Sequence, residues 1–106
     1  MIFDLPRYEA RARVARALGH PTRLFLLDVL GAQERCVCEL TDMVGADQST
    51  VSKHLAVLRS AGLVTGRRRG ATTYYRIACP CLAPLLESLG GVLRANLQAQ
   101  RHAIGR

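Results

Sequence analysis

Apolar residues recur at helical spacing in the first third of the chain, and glycine and proline divide this pattern into two segments. The segment from Arg7 to Leu18 is rich in arginine and alanine and carries apolar residues four apart, which predicts an amphipathic helix ending at Gly19. Pro21 to Leu30 is more apolar and stops at Gly31. Because proline is tolerated in the first turn of a helix, this segment predicts a buried second helix.

The middle of the chain alternates short and long periodic segments. Arg35 to Cys38 is a short stretch that suits an extended backbone, and a helix is predicted from about Glu39 to Val44. Gly45 and Ala46 then break the pattern, and Asp47 stands at an N-cap position. Gln48 to Ala61 again repeats apolar residues at helical spacing. The pattern therefore predicts a helix, a tight turn and a second helix.

Alternation of apolar and polar residues follows, and the chain closes with a long helical pattern. Leu63 to Arg68 turns near Gly70 and returns as Thr72 to Ile77, which predicts a β-hairpin. The last segment starts at Cys79-Pro80-Cys81 and predicts a long final helix with a polar end. Its apolar residues are Leu85, Leu86, Leu89, Val92, Leu93 and Leu97. We expect one domain over residues 1–106, mainly α, with about five helices and a two-stranded hairpin.

Helix, turn, helix and then an arginine-bearing hairpin is the element order of a winged helix-turn-helix. The segments that carry the pattern are ALGHPTRLFLLDVL, ERCVCEL, DQSTVSKHLAVLRSAGLV and RRRGATTYYRI. Together they resemble the ArsR/SmtB family of metal-sensing repressors, from Ala17 to Ile77 without a gap. The resemblance implies a homodimer that joins through its first and last helices. Two-fold symmetry then predicts an inverted-repeat operator in double-stranded DNA, with half-sites ~34 Å apart or a multiple of that distance.

Charge supports a polyanionic partner, although position along the chain carries more weight. Fifteen lysines and arginines oppose eight acidic residues, which gives a net charge of +7. No apolar run approaches the ~20 residues of a membrane span, and the N-terminus lacks the pattern of a secretory signal. We therefore expect a cytoplasmic protein without a membrane partner, whose four cysteines are kept reduced.

The second helix of the predicted pair carries short polar side chains in its first turns, as a recognition helix requires. Gln48 suits bidentate reading of a base, whereas Ser49 and Thr50 with the helix N-terminus suit a phosphate. Arginines on the wing suit the DNA backbone or the minor groove. A surface histidine at position 54, or a hydroxyl at position 52 that bonds its own helix, is an equally valid interpretation. The candidate DNA contacts are Gln48, Ser49, Thr50, Ser52, Lys53, His54, Arg59, Arg67, Arg68 and Arg69.

The cysteines form two C-x-C pairs, Cys36 with Cys38 and Cys79 with Cys81. In the resembling arsenic, cadmium and lead sensors, a Cys-Val-Cys motif occupies the first of these positions. As(III) takes three sulfurs, and Cd(II), Pb(II) and Zn(II) take three or four. The third cysteine of the arsenic sensors is Thr41 here. If Arg35 to Cys38 runs beside Ile77 to Cys81, at the end of the returning strand of the wing, all four thiols converge.

The predicted function is a repressor that leaves its operator when a thiophilic effector binds the cysteines, with As(III) favoured over Cd, Pb or Zn. A redox or persulfide switch through the same thiols is the alternative, and inert buried thiols are a third interpretation. The zinc site that other members of the resembled family have on the last helix is disfavoured, since only His102 is present there. An enzyme is disfavoured because no C-x-x-C or Gly-rich phosphate motif occurs. An architectural DNA-binding protein without a sensor remains open.

Overall fold

The computed structural model describes residues 2–104, so Met1, Gly105 and Arg106 of the predicted domain lie outside the described residues. Five helices and three strands follow one another along this part of the chain. In order they are α1 (Leu5–Leu18), α2 (Pro21–Ala32), β1 (Arg35–Cys36), α3 (Val37–Val44), α4 (Gln48–Ser60), β2 (Val64–Arg69), β3 (Thr72–Ile77) and α5 (Leu82–Ile104). The predicted order of elements is confirmed.

Two helices begin earlier than predicted, and capping explains both differences. The Asp4 carboxylate accepts a hydrogen bond from the Arg7 amide at 3.3 Å, so α1 begins at Leu5. At the start of α3, Cys36 Sγ accepts a hydrogen bond from the Glu39 amide at 3.3 Å, while the Glu39 carboxylate accepts one from the Cys36 amide. This reciprocal capping box starts α3 at Val37, where an extended backbone was predicted.

The three strands form one antiparallel sheet in the order β1-β3-β2. Strands β2 and β3 are the predicted hairpin, and Gly70, with a φ of 60°, supplies the left-handed residue at its tip. Strand β1 adds a third strand on the other side of β3, with Cys36 opposite Tyr74. The segment before α3 therefore lies beside the returning strand of the wing, but it pairs with Tyr74 and Tyr75 and not with the stretch from Ile77 to Cys81.

One apolar core joins α2, α3, α4 and the base of the sheet. Its side chains without exposed surface are Leu26, Leu27, Leu40, Val51, Leu55 and Leu58. Helix α5 contributes only Leu82 as a buried residue, and the remaining apolar residues of its stripe are mostly exposed. Among the helices of residues 2–104, none combines the length and hydropathy of a membrane span.

Candidate nucleic-acid interface and cysteine pairs

Helix α4 has one buried face and one polar face, which separates its packing residues from its candidate DNA contacts. Val51, Leu55 and Leu58 anchor the helix in the core. Of the residues predicted to contact DNA on this helix, Ser52 and His54 are half-buried. The exposed ones are Gln48, Ser49, Thr50, Lys53 and Arg59.

The first turn of α4 is closed by its own cap. The Asp47 carboxylate accepts from the Thr50 amide at 3.1 Å and from the Thr50 hydroxyl at 2.7 Å. These hydrogen bonds to Thr50 hold the pKa of Asp47 below its ordinary value of 3.8. Thr50 is thus bonded to the cap in the free protein, whereas Gln48 and Ser49 remain exposed at the start of the helix.

His54 lies against the corner between α1 and α2. Its ring centroid is 4.3 Å from that of His20, and Arg23 Nη1 donates to His54 Nδ1 at 3.3 Å. Burial lowers the pKa of His54 below 6.5, and the nearby His20 and Arg23 lower it further. His20 itself caps α2, since its Nδ1 accepts from the Thr22 amide at 3.1 Å. His54 is more than thirty residues from His20 and Arg23 in sequence, so no local pattern predicted this cluster.

The wing carries three exposed arginines, and two of them share one acidic partner. Arg67 and Arg69 each place Nη2 near the same carboxylate oxygen of Glu34, at 3.3 and 3.1 Å. Arg69 also stacks on the ring of Tyr74, 4.8 Å from its centroid. Arg68 instead donates to the Gly70 carbonyl at 3.4 Å. The role of Glu34 was not predicted, because its partners lie more than thirty residues away in sequence.

Arg59 approaches the wing from the far end of α4. Its Nη1 lies 3.5 Å from the position that a Cβ would take at Gly66, and Cε1 of Tyr75 lies 3.1 Å from the same point. A larger residue at position 66 would therefore press on both side chains. The glycine lets the last turn of α4 and strand β2 meet closely.

The two cysteine pairs lie apart in the structure. Each pair forms a disulfide, Cys36–Cys38 and Cys79–Cys81, where reduced thiols were expected. Cys36 faces Tyr74 across the sheet, and Cys79 follows Tyr74 by five residues. Strand β1 pairs with Tyr74 and Tyr75 and not with the segment that carries Cys79 and Cys81. Within residues 2–104 no group of three or more candidate metal ligands is present, so the expected convergence of four thiols in one subunit is not observed.

The donor set of one subunit does not match a soft-metal site with three or four thiolates. Each C-x-C pair brings two sulfurs, and among residues 2–104 no group of three or more histidine, cysteine or acidic side chains is placed to hold a metal ion. The Glu39 carboxylate near Cys36 is engaged by the Cys36 amide and, at 3.6 Å, by Arg35. A single C-x-C pair supplies two of the three ligands that As(III) takes, so at least one further ligand would be needed.

The fold and these residues can be compared with known proteins. The family model of "Bacterial regulatory protein, arsR family" matches residues 20–65. The chain is 39% identical over 100 residues to the HTH-type transcriptional regulator Rv0081 of Mycobacterium tuberculosis, covering 93% of this chain and 87% of that protein. The chain belongs to the ArsR/SmtB family. The resemblance carried by the sequence motifs is thus confirmed.

Other relatives agree with this assignment. The repressor SmtB of M. tuberculosis is 40% identical over 78 residues, which cover 74% of this chain and 58% of SmtB. The crystal structure of Rv0081 superposes with a TM-score of 0.82 over 92% of this chain and 98% of that one, at 38% identity. A homodimeric winged helix-turn-helix domain from Mycobacterium bovis, solved by NMR, has a TM-score of 0.79 at 35% identity and covers 89% and 87% of the two chains. This ArsR/SmtB protein is a DNA-binding transcriptional regulator with a winged helix-turn-helix fold.

Proposed function

We propose that this repressor binds an inverted-repeat operator as a homodimer in the cytoplasm, and that the state of the Cys36–Cys38 pair sets its operator affinity. The observation that carries the proposal is the position of Cys36. Its backbone pairs with Tyr74 of the wing, and its Sγ caps α3, the first helix of the helix-turn-helix. A change at this sulfur therefore reaches both DNA-binding elements through bonded neighbours.

Exposed apolar side chains support the homodimer. Clustered apolar surface on a small protein marks an interaction site, and most of the exposed large apolar side chains here lie on the first and last helices. The exposed residues are Leu5 and Tyr8 on α1 and Leu85, Leu89, Val92, Leu93 and Leu97 on α5. A relative with the same fold is described as homodimeric. Two copies joined through these helices would bring two α4 helices to one face for successive turns of DNA.

The proposed DNA contacts follow from exposure and charge. Gln48 and Ser49 stand free at the start of α4 and suit a base edge and a phosphate, respectively. Lys53, Arg59 and the wing arginines supply phosphate contacts. Ser52 and His54 are half-buried, and the packing of His54 against His20 favours a structural role over DNA contact.

The cysteine switch we propose is a dithiol that closes to a disulfide. The Sγ atoms of Cys36 and Cys38 form an S–S bond in the structure, so the local backbone accepts that state. Closing the bond from two thiols releases two protons and two electrons, and a peroxide that takes them up becomes two waters. The bond ties the N-cap of α3 to its first turn. We expect the reduced form to bind the operator and the oxidised form to release it.

Binding of a thiophilic ion by the same pair is the second candidate. The bonded Sγ atoms of Cys36 and Cys38 show that both sulfurs reach one point, and a soft ion such as As(III) would use them. Cd(II), Pb(II) and Zn(II) would need further donors from outside the pair. The Cys79–Cys81 pair has the same spacing, and its sulfurs are likewise bonded to each other. It therefore serves as the internal comparison.

The test is the affinity of the dimer for an operator selected from random-sequence DNA, measured by fluorescence anisotropy. Reduced protein is titrated alone, then with hydrogen peroxide, and then, still reduced, with As(III) and with Cd(II), Pb(II) or Zn(II) in turn. The variants are Cys36→Ser with Cys38→Ser and, as the matched control, Cys79→Ser with Cys81→Ser. A coupling of usual size would weaken binding roughly 5- to 150-fold.

Each outcome selects one interpretation. Release by peroxide alone, lost in the Cys36/Cys38 variant and kept in the Cys79/Cys81 variant, supports the dithiol switch. Release by As(III) or a divalent ion under reducing conditions, with the same variant pattern, supports an ion sensor. Equal release from the Cys36/Cys38 variant and the wild type, or no release by any reagent, overturns the role of this pair. Failure to select any DNA sequence would overturn operator binding itself.

A further inference from the structure

Glu34 lies one residue before β1 and faces the wing. Its Oε1 atom meets Nη2 of Arg67 at 3.3 Å and Nη2 of Arg69 at 3.1 Å. The Glu34 side chain is 26% exposed, whereas those of Arg67 and Arg69 are 61% and 54% exposed. The acidic group is thus held at the sheet, and the two guanidinium groups remain open to solvent on their other sides.

The pleat of β2 explains why the same two arginines meet this carboxylate. Residues two apart in a strand point to the same face, so Arg67 and Arg69 lie together while Arg68 points away. Arg67 is directly opposite Tyr74, and the ring of Tyr74 supports the guanidinium of Arg69. Two members of the basic wing are therefore paired to one internal anion, and one is not.

A carboxylate and a phosphate are recognised by guanidinium through the same chemistry. Both offer anionic oxygens to the planar N–H donors of arginine. Exposed ion pairs are screened by water and are individually weak, so a DNA phosphate can displace the carboxylate. Losing the carboxylate contact nevertheless reduces the favourable free energy that the arginines contribute to DNA binding.

We propose that Glu34 is an internal competitor of DNA phosphate for Arg67 and Arg69, and that it lowers the electrostatic part of DNA affinity. The proposal rests on the proposed wing contacts. Because phosphate contacts supply essentially all non-specific binding, Glu34 limits retention of the repressor on DNA of any sequence. Glu34 acts through the arginines and not on the bases.

The test compares Glu34→Gln with Glu87→Gln. Both substitutions remove one negative charge that forms an ion pair with arginine, since Glu87 meets Arg94 on α5 at 3.6 Å. Anisotropy titrations of reduced protein use the selected operator and a scrambled duplex between about 50 and about 200 mM salt. We expect Glu34→Gln to bind both duplexes roughly threefold more tightly at low salt and to steepen the salt slope by ~0.9, the effect of one added phosphate contact. The advantage should shrink as salt rises.

A second pair of variants separates this inference from the wing contacts. In protein with Arg67→Gln and Arg69→Gln, adding Glu34→Gln should change DNA affinity no more than Glu87→Gln does. If the double arginine variant binds DNA as tightly as the wild type, the proposed wing contacts are wrong and the inference falls with them. If the double arginine variant instead binds more weakly than the wild type, the wing contacts are supported. In that case the inference alone is overturned if Glu34→Gln binds DNA no more tightly than Glu87→Gln, or if it binds DNA less tightly than the wild type. In the last case Glu34 would orient the arginines for DNA.

Discussion

The two C-x-C pairs have the same spacing but lie in differently packed parts of the molecule. Cys36 is 5% exposed, belongs to β1 and accepts from the Glu39 amide at 3.3 Å. Cys79 follows the sheet, and its Sγ accepts from the Cys81 amide at 3.2 Å. Both sulfurs thus accept a backbone N–H, but only the first belongs to a strand of the sheet and a capping box.

The difference lies in what each pair precedes. Cys36 leads into α3, where Leu40 is fully buried in the core. Cys79 and Cys81 lead into α5, whose apolar residues beyond Leu82 are half-buried or exposed in one subunit. A cysteine pair of the same spacing therefore precedes the helix-turn-helix in one case and the proposed dimer helix in the other. Spacing alone does not determine which structural change a cysteine pair can drive.

The largest expected effect is a loss of stability, and it should distinguish the buried residues of α3 from the exposed apolar residues of α5. Leu40→Ala should lower the free energy of unfolding by ~2 to 5 kcal/mol, because it leaves a cavity in the packed core. Leu93→Ala, at a side chain that is 69% exposed, should change subunit folding by no more than ~0.5 kcal/mol and should weaken the dimer instead. Urea unfolding measures the first effect and sedimentation equilibrium the second. A Leu93 variant that remains fully dimeric would argue against α5 as the interface.

A smaller effect should separate the two cysteines under reducing conditions. Cys36→Ala removes the acceptor that caps α3 and should cost about 1 kcal/mol, the usual cost of losing an N-cap. Cys36→Ser retains an acceptor at the cap, so it should cost less. Cys79→Ala should cost less than Cys36→Ala, since its sulfur bonds within an exposed turn. Thermal unfolding of the three variants checks the order, and equal losses for Cys36→Ala and Cys79→Ala would remove the contrast.

The smallest expected effect is a pH dependence of the free energy of unfolding that arises from His54. Because burial lowers the pKa of His54 below 6.5, the unfolded chain takes up this proton first as the pH falls. Stability should therefore decrease below about pH 6.5 and level off below the folded-state pKa. His54→Gln should flatten the stability profile in this window. Urea titrations between neutral and mildly acidic pH measure the slope, and an unchanged slope in the variant would assign it to other groups.

Much of the fold could be predicted because the signals are local. Apolar spacing located the helices, Asp47 marked the start of α4, and the turn at Gly70 marked the wing. The early starts of α1 and α3 were missed, the second because a cysteine replaces the usual serine or aspartate as a cap. The polar face of α4 was predicted well, whereas the half-buried position of His54 required its distant partners His20 and Arg23.

Periodicity and motifs read within a few residues were enough to predict the order of the elements, the face that α4 buries and the family. The register of β1 on β3 could not be predicted in this way, because a register is set by the whole packed sheet. That register places Cys36 opposite Tyr74 and separates it from Cys79. It is also the tertiary fold that brings Glu34 to two wing arginines more than thirty residues away, because contacts between distant segments depend on how every intervening element packs.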